Sequence, residues 1–163
     1  MICCEGSVLL KILGIDPGYA IVGYGILNYD GYKFKPLGYG AITTEAGTDF
    51  TLRLMDIYHD METVLDTFKP DAMSIEKLFF NTNQKTGIDV AQARGVIILA
   101  AAERGVPVFE YTPLQVKQSV VGYGRAEKKQ VMEMTRSILG LASVPKPDDT
   151  ADALALAICH GHC

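Results

Sequence analysis

The stretch that decides the fold is KILGIDPG, residues 11–18. A short apolar run leads to Asp16, and the pair Pro17-Gly18 follows at once. Proline at the second position and glycine at the third favour a type II turn. The stretch therefore predicts a buried strand over residues 11–16, which ends on a carboxylate and is followed by a tight turn.

Two more strands are predicted directly after this turn. Residues 22–29 and 32–43 are rich in β-branched and aromatic side chains, which favour strands. Asp30-Gly31 lies between them and is a strong hairpin signal. The first three strands are therefore expected to form an antiparallel meander.

The rest of the chain alternates helices and strands. Apolar residues recur at helical spacing over residues 51–68, and Pro70 ends that helix. A brief strand is expected at 71–76 and a polar loop at 78–86. The later elements are a helix at 87–104, a strand at 106–111, and helices at 113–120, 126–139 and 150–160. This order predicts an α/β fold with a five-stranded mixed sheet and helices on both faces.

Length and composition indicate one folded domain. The 163 residues fit one domain better than two, and the apolar fraction of 48% is ordinary for a folded protein. The apolar stretch at residues 95–102 is far shorter than the roughly 20 residues of a membrane span. The first residues lack the basic region of a secretion signal, and the cysteines form no disulfide framework. We therefore expect a single domain, residues 1–163, in the cytoplasm and away from membranes.

The charges are segregated along the chain. Residues 1–76 hold 5 basic and 11 acidic groups, residues 77–147 hold 10 and 5, and residues 148–163 hold 3 acidic groups and no basic ones. A basic middle in an acidic protein suggests a local surface for a polyanion. An ordinary solvated face is the alternative, and composition alone favours it.

Four carboxylates come near one another in the predicted fold. Asp16 ends the first strand, Glu76 ends the fourth, and Asp149 and Asp152 lie three residues apart on one face of the last helix. If the first and fourth strands are parallel neighbours, their carboxyl ends open at the same edge of the sheet. No basic residue is expected among these acids. Because clustered carboxylates repel one another, they usually hold divalent cations, and oxygen ligands favour Mg²⁺ or Mn²⁺ over zinc.

Each acid also has a purely structural explanation. Asp16 can be a turn residue and Glu76 a strand-end charge, while Asp149 caps the last helix and Asp152 interacts with its dipole. Asp148 is expected to be a loop or capping residue. Turn chemistry does not require acids at the ends of strongly apolar runs, however. From the residues alone, a metal site and unrelated structural acids both stay open.

Five motifs follow one another along the chain: GIDPG at 14–18, IE at 75–76, QARG at 92–95, VKQSVVG at 116–122 and DTADALA at 149–155. Together they resemble the RuvC family of Holliday junction resolvases, from about residue 11 to residue 160. The resemblance implies a ribonuclease H-like fold, a homodimer and work alongside the RuvA and RuvB branch-migration proteins. It also implies Mg²⁺-dependent cleavage of four-way DNA junctions by paired nicks, with 5′-phosphate and 3′-hydroxyl ends. Two Mg²⁺ ions per active site are expected, with Mn²⁺ as a substitute.

The resemblance assigns site residues one by one. Asp16, Glu76, Asp149 and Asp152 match the metal-binding catalytic acids, and all four family positions are filled. Residues 1–9 precede the family pattern and are expected to be an extension or tail.

The resemblance also implies residues that bind DNA. Lys117 and Lys128 match lysines that contact DNA near the active site, although without the resemblance they read as ordinary solvated lysines. Phe79 matches an aromatic side chain that stacks on an unpaired base at the junction centre. Whether Phe79 or Phe80 faces DNA stays open, as do contacts of Gln84, Lys85 and Arg94 with the DNA backbone.

Other function classes were weighed against this one. A strand ending in Asp-Pro-Gly also resembles the phosphate loop of the actin and sugar-kinase superfamily, but those enzymes need two lobes and a longer chain. A non-catalytic junction-binding protein has no need of four convergent acids. RuvX-like nucleases of the same fold act on RNA or are poorly defined, and the motif at 116–122 argues against them.

Overall fold

A computed structural model describes residues 8–79 and 84–163 of the chain. Residues 1–7, most of the expected extension, lie outside the described residues, as does Phe80. The elements are β1 (Leu10–Asp16), β2 (Ile21–Tyr29), β3 (Phe34–Thr43), α1 (Phe50–Phe68), β4 (Ala72–Glu76), α2 (Gln84–Glu103), β5 (Val108–Tyr111), α3 (Pro113–Val120), α4 (Lys128–Leu139) and α5 (Asp148–His162). None of the helices in the described part of the chain is long and apolar enough to cross a membrane.

The strands form one mixed sheet in the order β3-β2-β1-β4-β5. β1, β2 and β3 are antiparallel neighbours, while β4 and β5 add parallel to β1. The pairing of Ile15 with Ile75 places Asp16 and Glu76 at the ends of adjacent strands. The predicted sheet is confirmed, including the parallel pairing of β1 with β4. We call the side of the sheet where β1, β3 and β4 end the carboxylate edge.

Helices cover both faces of the sheet. On one face, α1 and α2 bury residues such as Ile57 and Ile97 against Leu13 of β1. On the other face, α3, α4 and α5 pack around Ile12, and Leu154 lies at the centre of that core. Because side chains alternate along a strand, Asp16 points to the same face as Ile12, which is the face covered by α5.

Glycines on β1 and β2 let α5 lie directly on the sheet. A Cβ on Gly14 would stand 1.9 Å from the carbonyl oxygen of Ala153, and a Cβ on Gly23 would stand 2.0 Å from that of Asp149. No side chain fits at either position. Gly23 is also paired with Asp16 across the β1–β2 ladder. The first turns of α5 are therefore held beside the end of β1.

The turn after β1 differs from the predicted type II turn. That turn needs a positive φ at Gly18, but the φ of Gly18 lies outside the left-handed region. A Cβ there would stand 2.3 Å from the carbonyl oxygen of Ile21, so glycine is required for a close chain approach. The hairpin at Asp30-Gly31 is confirmed. Gly31 has a φ of 96°, and the Asp30 carboxylate accepts hydrogen bonds from the amides two and three residues on.

The last helix and the start of α2 also differ from expectation. α2 begins at Gln84, so the predicted loop at 78–86 extends too far. The prediction that Asp148 or Asp149 caps α5 is wrong, because Pro147 occupies the N-cap position and both aspartates lie in the first turn. Acids are favoured there by the helix dipole. All other predicted element ends lie within two residues of the observed ones.

Candidate active site

Four carboxylates meet at the carboxylate edge, as the sequence predicted. Asp16 and Glu76 end the parallel neighbours β1 and β4. Asp149 and Asp152 come from the start of α5, which the strand glycines hold against the sheet. All three other carboxylates lie close enough to Asp16 to act on it electrostatically. Residues from three distant parts of the chain are thus gathered into one acidic cluster.

Burial and nearby negative charges raise the pKa values of three of these acids, Asp16, Glu76 and Asp152. The pKa of Asp16 is raised to about 8, first by burial and then by the charges of Asp152, Glu76 and Asp149. Burial also raises the pKa of Glu76, with a further contribution from Asp152. The pKa of Asp152 is likewise raised by burial. Such a cluster favours the binding of cations, which relieve the repulsion.

A lysine lies among the acids, which the sequence analysis did not expect. The Nζ atom of Lys128 is 3.2 Å from Oδ2 of Asp152. Its positive charge opposes the effect of burial on the pKa values of Asp152 and Glu76, although both pKa values stay raised. The prediction that no basic residue lies among the acids is therefore wrong. The reason is tertiary, because α4 carries Lys128 and packs against α5.

A cavity of about 290 Å³ opens beside the cluster. Glu76 and Asp152 form part of its wall, and Lys117 and Lys128 also line it. The remaining wall is apolar and comes from Pro113, Val116, Val131, Ala155 and Leu156. The structure therefore places both lysines named from the sequence beside two of the four acids. Paired cations and carboxylates around one cavity suit a phosphate that binds together with its counter-ions.

One buried and one partly buried hydrogen bond fix α5 relative to the acids on the strands. The Ser74 hydroxyl, two residues before Glu76, donates to the carbonyl oxygen of Leu156 at 2.7 Å. The Thr150 hydroxyl donates to the carbonyl oxygen of Gly40 on β3 at 3.0 Å. Sequence reasoning missed both hydroxyls, because an isolated serine or threonine in an apolar segment does not reveal its partner.

Arg94 holds the end of β4 in place. Its Nε atom donates to the carbonyl oxygen of Glu76 at 3.3 Å, and Nη2 is 2.9 Å from Oε1 of Glu110 on β5. Only 13% of the Arg94 side chain is exposed. In the free protein, Arg94 therefore positions the strand that carries Glu76, and its contact with the DNA backbone stays open.

Phe79 is exposed close to the acidic cluster. It lies three residues beyond Glu76, and 54% of its surface is accessible. The ammonium group of Lys77 lies 5.9 Å from the centre of its ring. Phe80 lies outside the described residues, so the structure does not compare the two phenylalanines. An exposed aromatic ring at this place suits base stacking, which stays a prediction.

The donor set suits a hard divalent cation. All four acids offer carboxylate oxygens, which are the ligands that Mg²⁺ and Mn²⁺ prefer. In the described ranges, 8–79 and 84–163, no three histidine, cysteine, aspartate or glutamate side chains are arranged to hold a metal ion by themselves. Mg²⁺ sites commonly use one or two carboxylates and complete the shell with water and substrate phosphate. The residues therefore fit a cation that is shared with a bound phosphate.

Comparison with known proteins identifies the family. A family model described as "Crossover junction endodeoxyribonuclease RuvC" matches residues 12–160. The chain belongs to the RuvC family. Among its members, the crossover junction endodeoxyribonuclease RuvC of Ruminiclostridium cellulolyticum is 60% identical over 151 residues, which cover 93% of this chain and 91% of that protein.

Solved RuvC structures share the fold. The RuvC structure of Thermus thermophilus matches with a TM-score of 0.87 at 36% identity, and the match covers 94% of each chain. A second structure, T. thermophilus RuvC in complex with a Holliday junction substrate, matches with a TM-score of 0.86 at 34% identity and the same coverage of 94%. The ribonuclease H-like fold is thereby confirmed. RuvC proteins are metal-dependent nucleases, and this member is an endodeoxyribonuclease of crossover junctions.

Proposed function

We propose that the protein resolves four-way DNA junctions by metal-dependent hydrolysis, with Asp16, Glu76, Asp149 and Asp152 as its catalytic acids. The convergence of these four carboxylates, with the pKa of Asp16 raised to about 8, carries this proposal. A cluster that is costly without a cation and lies beside a cavity with two lysines is suited to phosphodiester chemistry.

The four acids hold Mg²⁺ in this proposal, with two ions per active site and Mn²⁺ as a substitute. When bound, these ions activate the attacking water and stabilise the leaving 3′-oxygen. The protein's own part is to fix the carboxylates and to orient the phosphate. Asp16 and Glu76 are fixed by the sheet, and Asp149 and Asp152 by the contact of α5 with the strand glycines. The products carry 5′-phosphate and 3′-hydroxyl ends, which a ligase can seal.

A cleavage assay tests this function. The protein is incubated with a synthetic four-way junction and Mg²⁺, and the products are separated on a denaturing gel. We expect paired nicks at symmetry-related positions, which ligase then seals. A non-catalytic junction-binding protein would retard the junction and leave its strands intact. A RuvX-like nuclease would degrade an RNA substrate in preference to the junction.

Lys117 and Lys128 are proposed to bind the DNA backbone, and Phe79 to stack on an unpaired base. Both lysines line the cavity that Glu76 also lines, so a phosphate there lies within their reach. The ammonium of Lys128 is paired with Asp152 in the free protein. Binding of DNA therefore moves it from a carboxylate to a phosphate.

Removing either lysine should weaken the salt dependence of binding. Lys117→Ala and Lys128→Ala each remove one phosphate contact, so the slope of log affinity against log salt should shrink by about one unit per variant. Fluorescence anisotropy with an uncut junction, in Ca²⁺ in place of Mg²⁺, measures the slope. Lys33→Ala is the matched control, because Lys33 is an exposed cation in the hairpin at the opposite end of the sheet. An unchanged slope for both variants would show that the two lysines are ordinary solvated residues and do not contact DNA phosphates.

α2 supports the proposal of a homodimer. One side of this helix packs on the sheet, and α1 packs beside it. A stripe of exposed, mostly small or apolar residues nevertheless remains along α2: Ile88, Gln92, Gly95, Leu99 and Ala102. We propose that the same stripe of a second copy covers it about a twofold axis. A four-way junction has two equivalent strands to cut, and a twofold dimer offers two active sites.

A charge in the middle of this stripe should dissociate the dimer. Leu99 is 53% exposed, so Leu99→Glu leaves the folded subunit intact and buries a carboxylate only in the dimer. Sedimentation at micromolar concentration should show a dimer for the wild type and a monomer for Leu99→Glu. Met134→Glu is the control, since Met134 is 39% exposed on α4 at the other face of the sheet. A wild-type protein that stays monomeric, or a Leu99→Glu variant that stays dimeric, would contradict the proposed interface.

Three further proposals follow from family membership. The RuvA and RuvB branch-migration proteins are proposed as partners. The cytoplasm is proposed as the location. Residues 1–163 are proposed to form a single nuclease domain.

A further inference from the structure

An arginine is held rigidly at the carboxylate edge. Arg53, in the first turn of α1, donates from Nε to the hydroxyl oxygen of Thr44 at 2.8 Å. The guanidinium carbon lies 4.9 Å from the centre of the Tyr19 ring. The Thr44 hydroxyl donates in turn to the carbonyl oxygen of Tyr19, and the Thr44 amide donates to that of Ala20 at 3.0 Å. These contacts join the β1–β2 turn, the end of β3 and the start of α1.

This arginine lies at the same edge of the sheet as the acidic cluster. Tyr19 follows Asp16 by three residues in the turn that leaves β1. Thr44 follows the last residue of β3, which runs in the same direction as β1 and ends at the same edge. α1 and α5 both begin at this edge, on opposite faces of the sheet. Arg53 and Asp16 therefore lie at the same edge of the sheet, Arg53 on the α1 side and Asp16 on the α5 side.

The charge of Arg53 is not neutralised within the described part of the chain. Arg94, Arg104 and Arg136 each form an ion pair with a glutamate. Arg53 forms none among residues 8–79 and 84–163, and its described side-chain hydrogen bonds use one of five N–H donors. Because Tyr19 and Thr44 already fix the guanidinium plane, a ligand at its free Nη atoms loses little side-chain entropy.

We propose that Arg53 binds a backbone phosphate of the DNA strand that enters the active site. The inference rests on the proposed junction-cleaving function and adds a contact on the α1 side of the edge. A guanidinium matches the geometry of a phosphate through two parallel hydrogen bonds. The contact anchors the strand on one side of Asp16, while Lys117 and Lys128 hold it on the other side.

Charge-removing and charge-keeping variants of Arg53 test the contact. Arg53→Gln keeps an amide donor for Thr44, Arg53→Met keeps an aliphatic stem on Tyr19, and Arg53→Lys keeps the charge. Binding to an uncut synthetic four-way junction is measured in Ca²⁺ over a series of salt concentrations. We expect the salt slope to fall by about one unit for Gln and Met and to stay near the wild-type value for Lys. Lys33→Ala, with the same loss of charge at the far end, should keep the wild-type slope.

The outcomes separate this contact from the function on which it rests. Thermal unfolding first shows which charge-removing variants are folded, and one folded variant suffices. If that variant keeps the wild-type slope, Arg53 only joins the turn to α1 and the proposed contact is wrong. If the wild-type protein itself does not bind the junction, the proposed function fails together with this contact.

Discussion

Asp16→Asn should cut four-way junctions at least about a hundredfold more slowly than the wild type while still binding them. The amide keeps the size and the fold but removes an anionic oxygen from the most strongly perturbed acid of the cluster. Loss of one metal ligand removes several kcal/mol of transition-state stabilisation, whereas phosphate contacts elsewhere carry binding. Single-turnover cleavage and fluorescence anisotropy measure the two effects separately.

Asp148→Asn is the matched control for this experiment. Asp148 is the acid next to Asp149, but it is half-exposed and pairs with Lys146 at 3.0 Å outside the cluster. The Asp148→Asn variant should cut junctions at the wild-type rate. Near wild-type cleavage by Asp16→Asn would remove Asp16 from the catalytic set.

The same Asp16→Asn variant has a second readout in the stability of the metal-free protein. Asp16 has a pKa of about 8 in the folded state and about 3.8 when exposed. Between these values the folded state binds more protons than the unfolded state, so stability falls as pH rises from about 4 to about 8. Asparagine does not titrate. In EDTA, Asp16→Asn should therefore melt above the wild type at pH 8 and close to it near pH 4.

Gly14→Ala should impair both folding and cleavage. Its Cβ would stand 1.9 Å from the carbonyl oxygen of Ala153, and both the strand and the helix backbone resist movement. Overpacking of this kind costs about 1–3 kcal/mol, and more when the backbone cannot shift. A displaced α5 also carries Asp149 and Asp152 away from Asp16. Denaturant unfolding and the junction assay measure the two losses.

Gly95→Ala is the comparison for Gly14→Ala. No atom lies within 4 Å of a Cβ built on Gly95, and alanine is the better helix former by up to about 1 kcal/mol. Because Gly95 belongs to the proposed interface stripe, the exchange is made in the monomeric Leu99→Glu variant, whose stability should stay equal or rise. Wild-type stability and cleavage in Gly14→Ala would show that the helix contact does not position the acids.

The sequence was most informative where its signals are local. The apolar run that ends at Asp16, the Asp30-Gly31 hairpin and the helical periodicity before Pro70 each depend on a few neighbouring residues, so the order of elements could be predicted from them. The convergence of Asp16 with Glu76 then followed from parallel pairing. Gln84 shows the limit of such signals, because the polar residues 81–86 suit a loop as well as the first turn of a helix, and the sequence alone does not choose between them.

The remaining features depend on partners far away in the chain. The pairing of Lys128 with Asp152 joins two helices and has no sequence signal. The Pro17-Gly18 pair predicts a positive φ at Gly18. In the structure, Gly18 is needed because the carbonyl oxygen of Ile21 lies too close for a side chain. The pairing of Arg94 with Glu110 likewise depends on two strands that lie side by side only in the folded chain.

The contact between α5 and the sheet also determines how the protein can tolerate mutation. Because the α5 backbone lies directly on Gly14 and Gly23, the distance between the acids of the strands and those of the helix depends on this backbone contact and on the Ser74 and Thr150 hydrogen bonds, and not on the volume of the surrounding core side chains. Exchanges elsewhere in the core alter side-chain volume and shift packed elements slightly. They leave this spacing unchanged. Neutral substitutions in the core therefore leave the catalytic geometry unchanged, whereas substitutions of Gly14 or Gly23 alter it.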